Sequence, residues 1–492
     1  MTPHPIIKLQ PASSKTAHLA DLLTWPLLGS FLRWPHSRRV MQTVLLGLCG
    51  FIIFDGLLGP QQAPKNLATV TAWVHYRGLV VLALLVGGNL FCMACPFMLP
   101  REVGRWLGRR LGFQRHVPRR LRNKWLAAGL LIAFFFMYEL YDLWASPWLT
   151  AWLIVAYFLT AFVVDTFFQG AAFCKYVCPL GQFNFLGSLI SPTEIKIRSA
   201  ETCTTCRTKD CIVGNKTTGQ RGCELWLFQE KKAGNMDCTF CLDCVYACPH
   251  DNIGLIARLP TQELWHDPRR AGLGHLSRRW DVIGLMSVFV FGAYFNAFGM
   301  ITPVYALQRT ISTWLNTTAE WPSLLVIFGS GLVVLPLTVL FLTGWLSHRL
   351  AGQPQKPQAD LTGRFAYSLV PMGLGMWLAH YAFHFMTGAL TIIPVAQAFL
   401  NDSGFPAGEP RWELGLVVPV EWIFPLQMSF LYLGLLGSLV VGFQIGLNYF
   451  HNRAVALRAF IPWGLLALFL LAAAIWIMFQ PMEMRGTIFV GL

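Results

Sequence analysis

Residues 238 to 249 read Cys-Thr-Phe-Cys-Leu-Asp-Cys-Val-Tyr-Ala-Cys-Pro, a C-x2-C-x2-C-x3-C-P run. Thiolates at these intervals suit iron–sulfur chemistry: three bind one cluster, and the fourth reaches across to a second cluster. A second group, Cys203, Cys206, Cys211 and Cys223, has C-x2-C-x4-C spacing and then eleven residues before its last member. By the two-cluster rule, Cys238, Cys241, Cys244 and Cys223 hold one 4Fe-4S cluster, and Cys203, Cys206, Cys211 and Cys248 hold the other. The insertion 212–222 is polar and contains glycine, so it reads as a loop. Zinc is the competing assignment, since two C-x2-C pairs can make a ribbon. A ribbon uses four thiolates, however, and the spacing that ends in Cys-Pro is not its signature.

Four more cysteines stand beside apolar segments. Cys92 and Cys95 lie in Phe-Cys-Met-Ala-Cys-Pro (91–96), and Cys174 and Cys178 in Phe-Cys-Lys-Tyr-Val-Cys-Pro (173–179). Proline ends a helix and frees backbone N–H groups, which can then donate to sulfur. The two pairs are therefore candidates for one further four-thiolate metal or iron–sulfur site. A redox-active dithiol and inert buried thiols are the other readings. Cys49, alone in an apolar stretch, reads as a small core residue.

These residues need a scaffold, and composition says which. The chain has 492 residues, 55% hydrophobic and 13% charged, too apolar for a soluble protein and typical of a polytopic membrane protein. Nine apolar spans are expected near 42–59, 78–98, 126–146, 149–168, 281–302, 324–346, 366–391, 424–447 and 459–480. The net charge of +14 is local: residues 101–124 hold nine Lys or Arg and one acidic residue, while 194–258 hold nine basic and eight acidic. Basic loops at alternate span ends place the N-terminus inside and the C-terminus outside a bacterial cytoplasmic (inner) membrane, and they argue against nucleic-acid binding. The basic start of the chain, with Lys8, Lys15, Arg33, Arg38 and Arg39, runs into a retained span and not a cleaved signal. Trp144, Trp148, Trp321 and Trp422 are expected as interfacial anchors.

The expected fold is an all-α polytopic membrane protein with an inserted two-cluster ferredoxin-like α+β domain on the cytoplasmic side. Its parts are an N-terminal segment 1–41, four spans over 42–168 with the first Cys-Pro motif, the ferredoxin-like domain 169–280 with the second, and five spans over 281–492. The inserted segment contains ten of the 13 cysteines and little apolar sequence, so bound metal is expected to stabilise it.

Ionisable residues inside apolar spans mark functional sites by default. His380 and His384 are four apart and share one helix face, so they cannot be the opposed axial ligands of one haem. Ligation of separate haems, a quinol pocket with proton acceptors, and hydrogen-bonded packing all remain open. Glu139 joins these histidines as a candidate proton-handling group. Asp55, Asp142 and Glu421 read as span-end residues. His75 and Arg77 read as proton handlers or as side chains snorkelling at the outer interface. Asp165 is expected beside the Cys174 motif.

Two Cys-Pro elements at transmembrane helix ends, followed by paired cluster motifs, resemble the membrane polyferredoxins over about residues 75 to 260. That family includes the quinol-dehydrogenase subunit of periplasmic nitrate reductase, the nitrous-oxide reductase accessory protein and the cytochrome oxidase accessory ferredoxin. The resemblance implies electron transfer between a quinone or quinol, or a cytosolic donor, and a redox partner protein across the membrane. The chain departs from the pattern in its shorter C-x2-C-P element, its interrupted first cluster run, its five added spans, and the lack of a flavin-binding domain before the first span. A redox-linked transporter or metalloenzyme maturation factor is the rival reading, and an anchor for soluble redox proteins is a third.

Overall fold

The computed structural model describes residues 20–483. Lys8 and Lys15, and the tail beyond residue 483, lie outside this range, as do the expected positions of the two termini. Helices dominate because lipid leaves backbone N–H and C=O groups no partners outside their own segment. In order, the main helices are α1 (Ser37–Leu58), α2 (Leu67–Gly87), amphipathic α3 (Met98–Arg110), α4 (Trp125–Leu140), α5 (Pro147–Phe167), α6 (Trp280–Phe298), α7 (Glu320–Ala351), α8 (Gln358–Asp402), α9 (Val420–Phe450) and α10 (Arg453–Met478). All but α3 and α4 are long and apolar enough to cross a membrane. The 16-residue α4 reaches only about 24 Å at 1.5 Å per residue, short of a hydrocarbon core of roughly 30 Å. The nine expected spans thus become eight full-length helices and one short one.

The second span also moves. It was expected at 78–98, but α2 covers Leu67–Gly87 and stops where Gly88 takes a φ of +67°. A Cβ at Gly88 would lie 2.6 Å from the Ser191 hydroxyl and 2.9 Å from the Phe240 ring, so only glycine fits where the helix end meets the inserted segment. Cys92 therefore sits on a separate short helix (Leu90–Ala94), with Cys95 at its exit. The shift also puts His75, Tyr76 and Arg77 inside α2. Arg77 does not snorkel: it is buried, lies 4.4–5.2 Å from the rings of Trp73, Tyr138 and Tyr381, and donates to the Tyr138 hydroxyl at 3.1 Å. Residues Val70–Tyr76 of α2 form π-helix.

Strand β1 (Thr193–Ile197) pairs antiparallel with β2 (Ile253–Ala257), Thr193 facing Ala257 and Ile197 facing Ile253. Asp21, which precedes the first span, adds a bridge to Ile256 and accepts from Leu255 N at 3.2 Å and Arg198 Nε at 2.9 Å. The segment 169–280 is tied to helix ends from both halves of the chain. Lys124 Nζ meets Asp237 at 2.5 Å, Lys124 N meets Asp281 at 2.8 Å, and Asn448 donates to Trp265 O at 3.1 Å.

Among the C-terminal helices, α6 and the middle of α8 are deeply enclosed, and Trp377 and His380 of α8 are fully buried. Helix α8 crosses α9 where Gly375 and Gly434 meet: a Cβ on Gly434 would come within 2.9 Å of Pro371 O and 3.2 Å of Gly375 Cα. Small residues of this kind let membrane helices touch backbone to backbone. Trp148, Trp321 and Trp422 stand half-exposed near helix starts, as interfacial anchors do, whereas Trp144 lines a cavity. Replacing Gly434 by Leu should force α8 and α9 apart and cost about 1–3 kcal/mol. Thermal unfolding of the detergent-solubilised protein should show a lower midpoint, and an unchanged midpoint would contradict this packing.

Candidate functional site

Twelve of the 13 cysteines gather into three groups. Cys203, Cys206, Cys211 and Cys248 line one cavity, with Lys209, Phe228 and Asn252 between them. Cys223 joins Cys238, Cys241 and Cys244 in the buried core of the inserted segment, and Cys223 N donates to Cys211 O at 2.9 Å. Cys92, Cys95, Cys174 and Cys178 line a third cavity, walled by Tyr76, Phe91, Phe97, Asn184 and Thr239. Thr239 follows Cys238, so the third cavity abuts the second group. The short helix Asp243–Ala247 joins the second group to Cys248 of the first. The order in space is 203/206/211/248, then 223/238/241/244, then 92/95/174/178. The first group is partly exposed, and the second is wholly buried.

The loops between these cysteines are shaped for anions. Lys209, Phe240 and Leu242 adopt left-handed backbone, with φ of 51°, 54° and 60°, which costs non-glycine residues energy and turns successive N–H groups into one concavity. Asn252 N and Nδ2 donate to Cys248 and Cys203 sulfur at 3.4 and 3.3 Å, and Asn184 Nδ2 donates to Cys92 at 3.3 Å. Gly181 N donates to Cys178 Sγ at 3.2 Å, where that sulfur caps the helix Pro179–Gly187. Burial pushes the Cys211 and Cys223 thiols up to about 11, so a bound cation is what would ionise them at neutral pH. Slight burial opposes ionisation of Cys206 too, but the N–H groups of Lys209 and Thr208 and the Thr208 hydroxyl hold it below the usual range.

This donor set fits a cluster better than a single ion. Tetrahedral zinc at about 2.3 Å from each sulfur would hold the sulfurs only about 4 Å apart. Among the described residues, no three cysteine sulfurs lie within 4.8 Å of one another. The trio that does, Glu224, Cys241 and Asp243, has its carboxylates already engaged by arginines.

Those arginines went unrecognised in the sequence. Basic residues 101–124 read there as a cytoplasmic loop at a span end, yet Arg101, Arg105 and Lys124 are buried, as is Arg38. Arg101 donates to Asp165 at 2.5 Å, Cys174 sulfur at 3.2 Å and Glu224 at 3.2 Å. Arg105 reaches Glu224 at 2.6 Å, and Arg38 Nη1 is 3.0 Å from both Asp243 oxygens. Asp165 stands beside the Cys174 motif as expected, holding Arg101 and accepting from Phe173 N at 2.9 Å. Burial works against the Glu224 carboxylate, but Arg105, Arg101, Arg38 and Arg221 together hold it well below the usual glutamate range.

The remaining candidates lie elsewhere. His380 and His384 are buried in α8 with their Nε2 atoms 3.2 Å apart, one imidazole donating to the other. Two haem irons cannot be bound through nitrogens that face each other, so separate haems do not fit. Glu139 lines a different cavity with Asp142, Trp144, Glu320 and Glu483, and neither histidine lines it. Asp55 is buried and caps α2 by accepting from Leu67 N at 2.6 Å.

No family model matches the chain, and no solved structure does. Two curated proteins are similar, both named methylamine utilization ferredoxin-type protein MauN. The one from Paracoccus denitrificans is 26% identical over 210 residues, covering 39% of this chain and 69% of its own. The one from Methylorubrum extorquens is 26% identical over 211 residues, covering 35% of this chain and 72% of its own. The chain is thus similar to ferredoxin-type proteins over part of its length. Most of each relative is matched by well under half of this chain, so the larger part of the chain lies outside the matched region.

Because the Glu224 carboxyl is held low, its contribution to stability is complete above the ordinary glutamate value of 4.5 and fades as pH falls below it. Glu224→Gln strands the buried Arg105 guanidinium, takes one anionic partner from Arg101 and Arg38, and should cost about 3–5 kcal/mol at neutral pH. Denaturant titrations at pH 7 and pH 4 should show wild type and variant converging toward the acid side. Equal stability at pH 7 would remove Glu224 from the structural account.

Proposed function

We propose that this protein is a membrane-embedded iron–sulfur electron carrier with clusters at three cysteine sites. The observation that carries this reading is the serial contact of three groups of four cysteines, from a partly exposed group to one beside the membrane helices. Cys203, Cys206, Cys211 and Cys248 would hold one 4Fe-4S cluster, Cys223, Cys238, Cys241 and Cys244 a second, and Cys92, Cys95, Cys174 and Cys178 a third metal or cluster. Bound there, such clusters supply reversible one-electron chemistry. The protein's own part is to ionise, orient and shield the sulfurs. Asn184, Asn252 and Arg101 donate to them, the loop N–H groups surround them, and the helix bundle keeps water from the inner two sites. The ferredoxin-type relatives support the electron-transfer role, and their link to methylamine is not carried over.

The chain would act as an oxidoreductase subunit in a bacterial inner membrane, with the inserted segment on the cytoplasmic side. Electrons would pass between a quinone or quinol, or a cytosolic donor, and a redox partner protein. For His380, His384 and Glu139 the proposal is proton handling in the membrane body.

Protein purified without oxygen should contain about twelve iron and twelve sulfide per chain. Cys178→Ser should remove about a third of the iron and one set of EPR signals, leaving the others. Stoichiometric zinc in place of iron would overturn the reading. His380→Gln should slow quinone-linked turnover several-fold with unchanged EPR spectra, whereas unchanged turnover would assign the histidine pair to packing.

A further inference from the structure

A cavity of about 560 Å³ lies between α1, α2 and α5, lined almost wholly by apolar side chains. Its rim carries Leu48 and Leu79, 45% and 51% exposed, both on membrane-spanning helices, so it opens toward lipid. Its inner end meets the cavity of Cys92, Cys95, Cys174 and Cys178. Tyr76, Phe91, Phe97 and Leu180 line both spaces, a partition one side chain thick. The aromatic members interlock, Tyr76 lying 5.0 Å from Phe91 and Phe97 5.3 Å from Tyr157 between ring centroids.

Two further observations mark this cavity as built for a ligand. Thr71, Ala72, Trp73, His75 and Tyr76 reach it from the π-helical stretch of α2, and π-bulges concentrate at functional sites because they re-aim side chains. The Tyr76 hydroxyl is buried and has no hydrogen-bond partner among the described residues. A buried donor without a partner is costly unless something else accepts from it. His75, by contrast, is fixed by main-chain carbonyls, its ring nitrogens 3.0 Å from Val70 O and 2.8 Å from Ala389 O.

From this we infer that the cavity is the binding site for a prenylated quinone. The ring sits at the inner end with an oxygen accepting from Tyr76, and the tail leaves between Leu48 and Leu79. The chemistry selects this class: the ligand must be lipophilic, must carry an acceptor atom, and must lie one side chain from the sulfur site. A phospholipid acyl chain satisfies the first condition and neither of the others. The inference rests on the electron-transfer reading above and deepens it. It moves the quinone away from His380 and His384, neither of which lines this cavity.

The test uses the full-length protein, purified without oxygen into nanodiscs, and a photoreactive azido-ubiquinone. Labelling should fall on peptides within 70–79 or 150–157, and decylubiquinone should compete for it. Ala72→Trp, and Ile154→Trp from the facing helix, should each weaken labelling by about tenfold or more with iron content and EPR spectra unchanged. Tyr76→Phe should weaken it less and keep the same labelled peptides. Labelling near His380, labelling undiminished in both filled-cavity variants, or competition by dodecanol as strong as by decylubiquinone would overturn the site. Iron and EPR are read on the same samples, so loss of the quinone site with clusters intact leaves the electron-transfer reading standing. Absence of iron from wild type would overturn that reading itself.

Discussion

Arg101 has no exposed surface, yet it carries a full charge at the level where the helix bundle meets the inserted segment. Taking a guanidinium out of water costs several kcal/mol unless each donor finds an anionic partner. Here Asp165 of α5, Glu224 of the inserted segment and the sulfur of Cys174 together supply them. Arg38 and Arg105 extend the same lattice to Asp243 and again to Glu224. A charge network of this kind is poor glue by magnitude but strict about geometry, because losing one member leaves the others buried and unpaired. It fixes the position of the cysteine loops relative to the helices, and so fixes the line along which the three sulfur groups succeed one another.

The sulfurs themselves do the work that large aliphatic side chains do elsewhere. Cys223, Cys238 and Cys244 belong to the same buried cluster as Leu225, Phe240, Ile253 and Leu255, the core around which β1 and β2 close. An apolar core this small gives modest stability, and its loops spend some of that on left-handed residues at Lys209, Phe240 and Leu242. On the proposed reading the segment would draw part of its order from the clusters its thiols hold, with the surrounding N–H groups turned toward them.

Much of this was readable in the residues alone. The cysteine spacings suggested the grouping, and in space Cys248 lies with Cys203, Cys206 and Cys211 while Cys223 lies with Cys238 and Cys244; that these groups hold clusters remains the proposal. Helix number was nearly recovered from hydropathy. Helix position was not: the second span slid by eleven residues because Gly88 ends it for a steric reason supplied by Ser191 and Phe240, both distant in sequence. The same shift brings His75 and Arg77, read as proton handlers or as snorkelling at the outer interface, inside a helix. Arg38, Arg101 and Lys124 were hidden by a sound general rule, since basic residues beside a span usually face water and headgroups. Only their partners 60 to 200 positions away bring them inside, and a single sequence gives no sign of those pairings.

The seam between Asp21 and β2 has a consequence for biosynthesis. Asp21 is made before the first span and Arg38 at its start, but the groups they bind, Leu255 N, Arg198 and Asp243, emerge only after the helices that precede the inserted segment have been made. Until then the amino-terminal stretch has nothing to close upon, and the thiols stay open to the cell. For the proposed clusters, loading would have a natural window that shuts when the late strand arrives and the early segment folds over it.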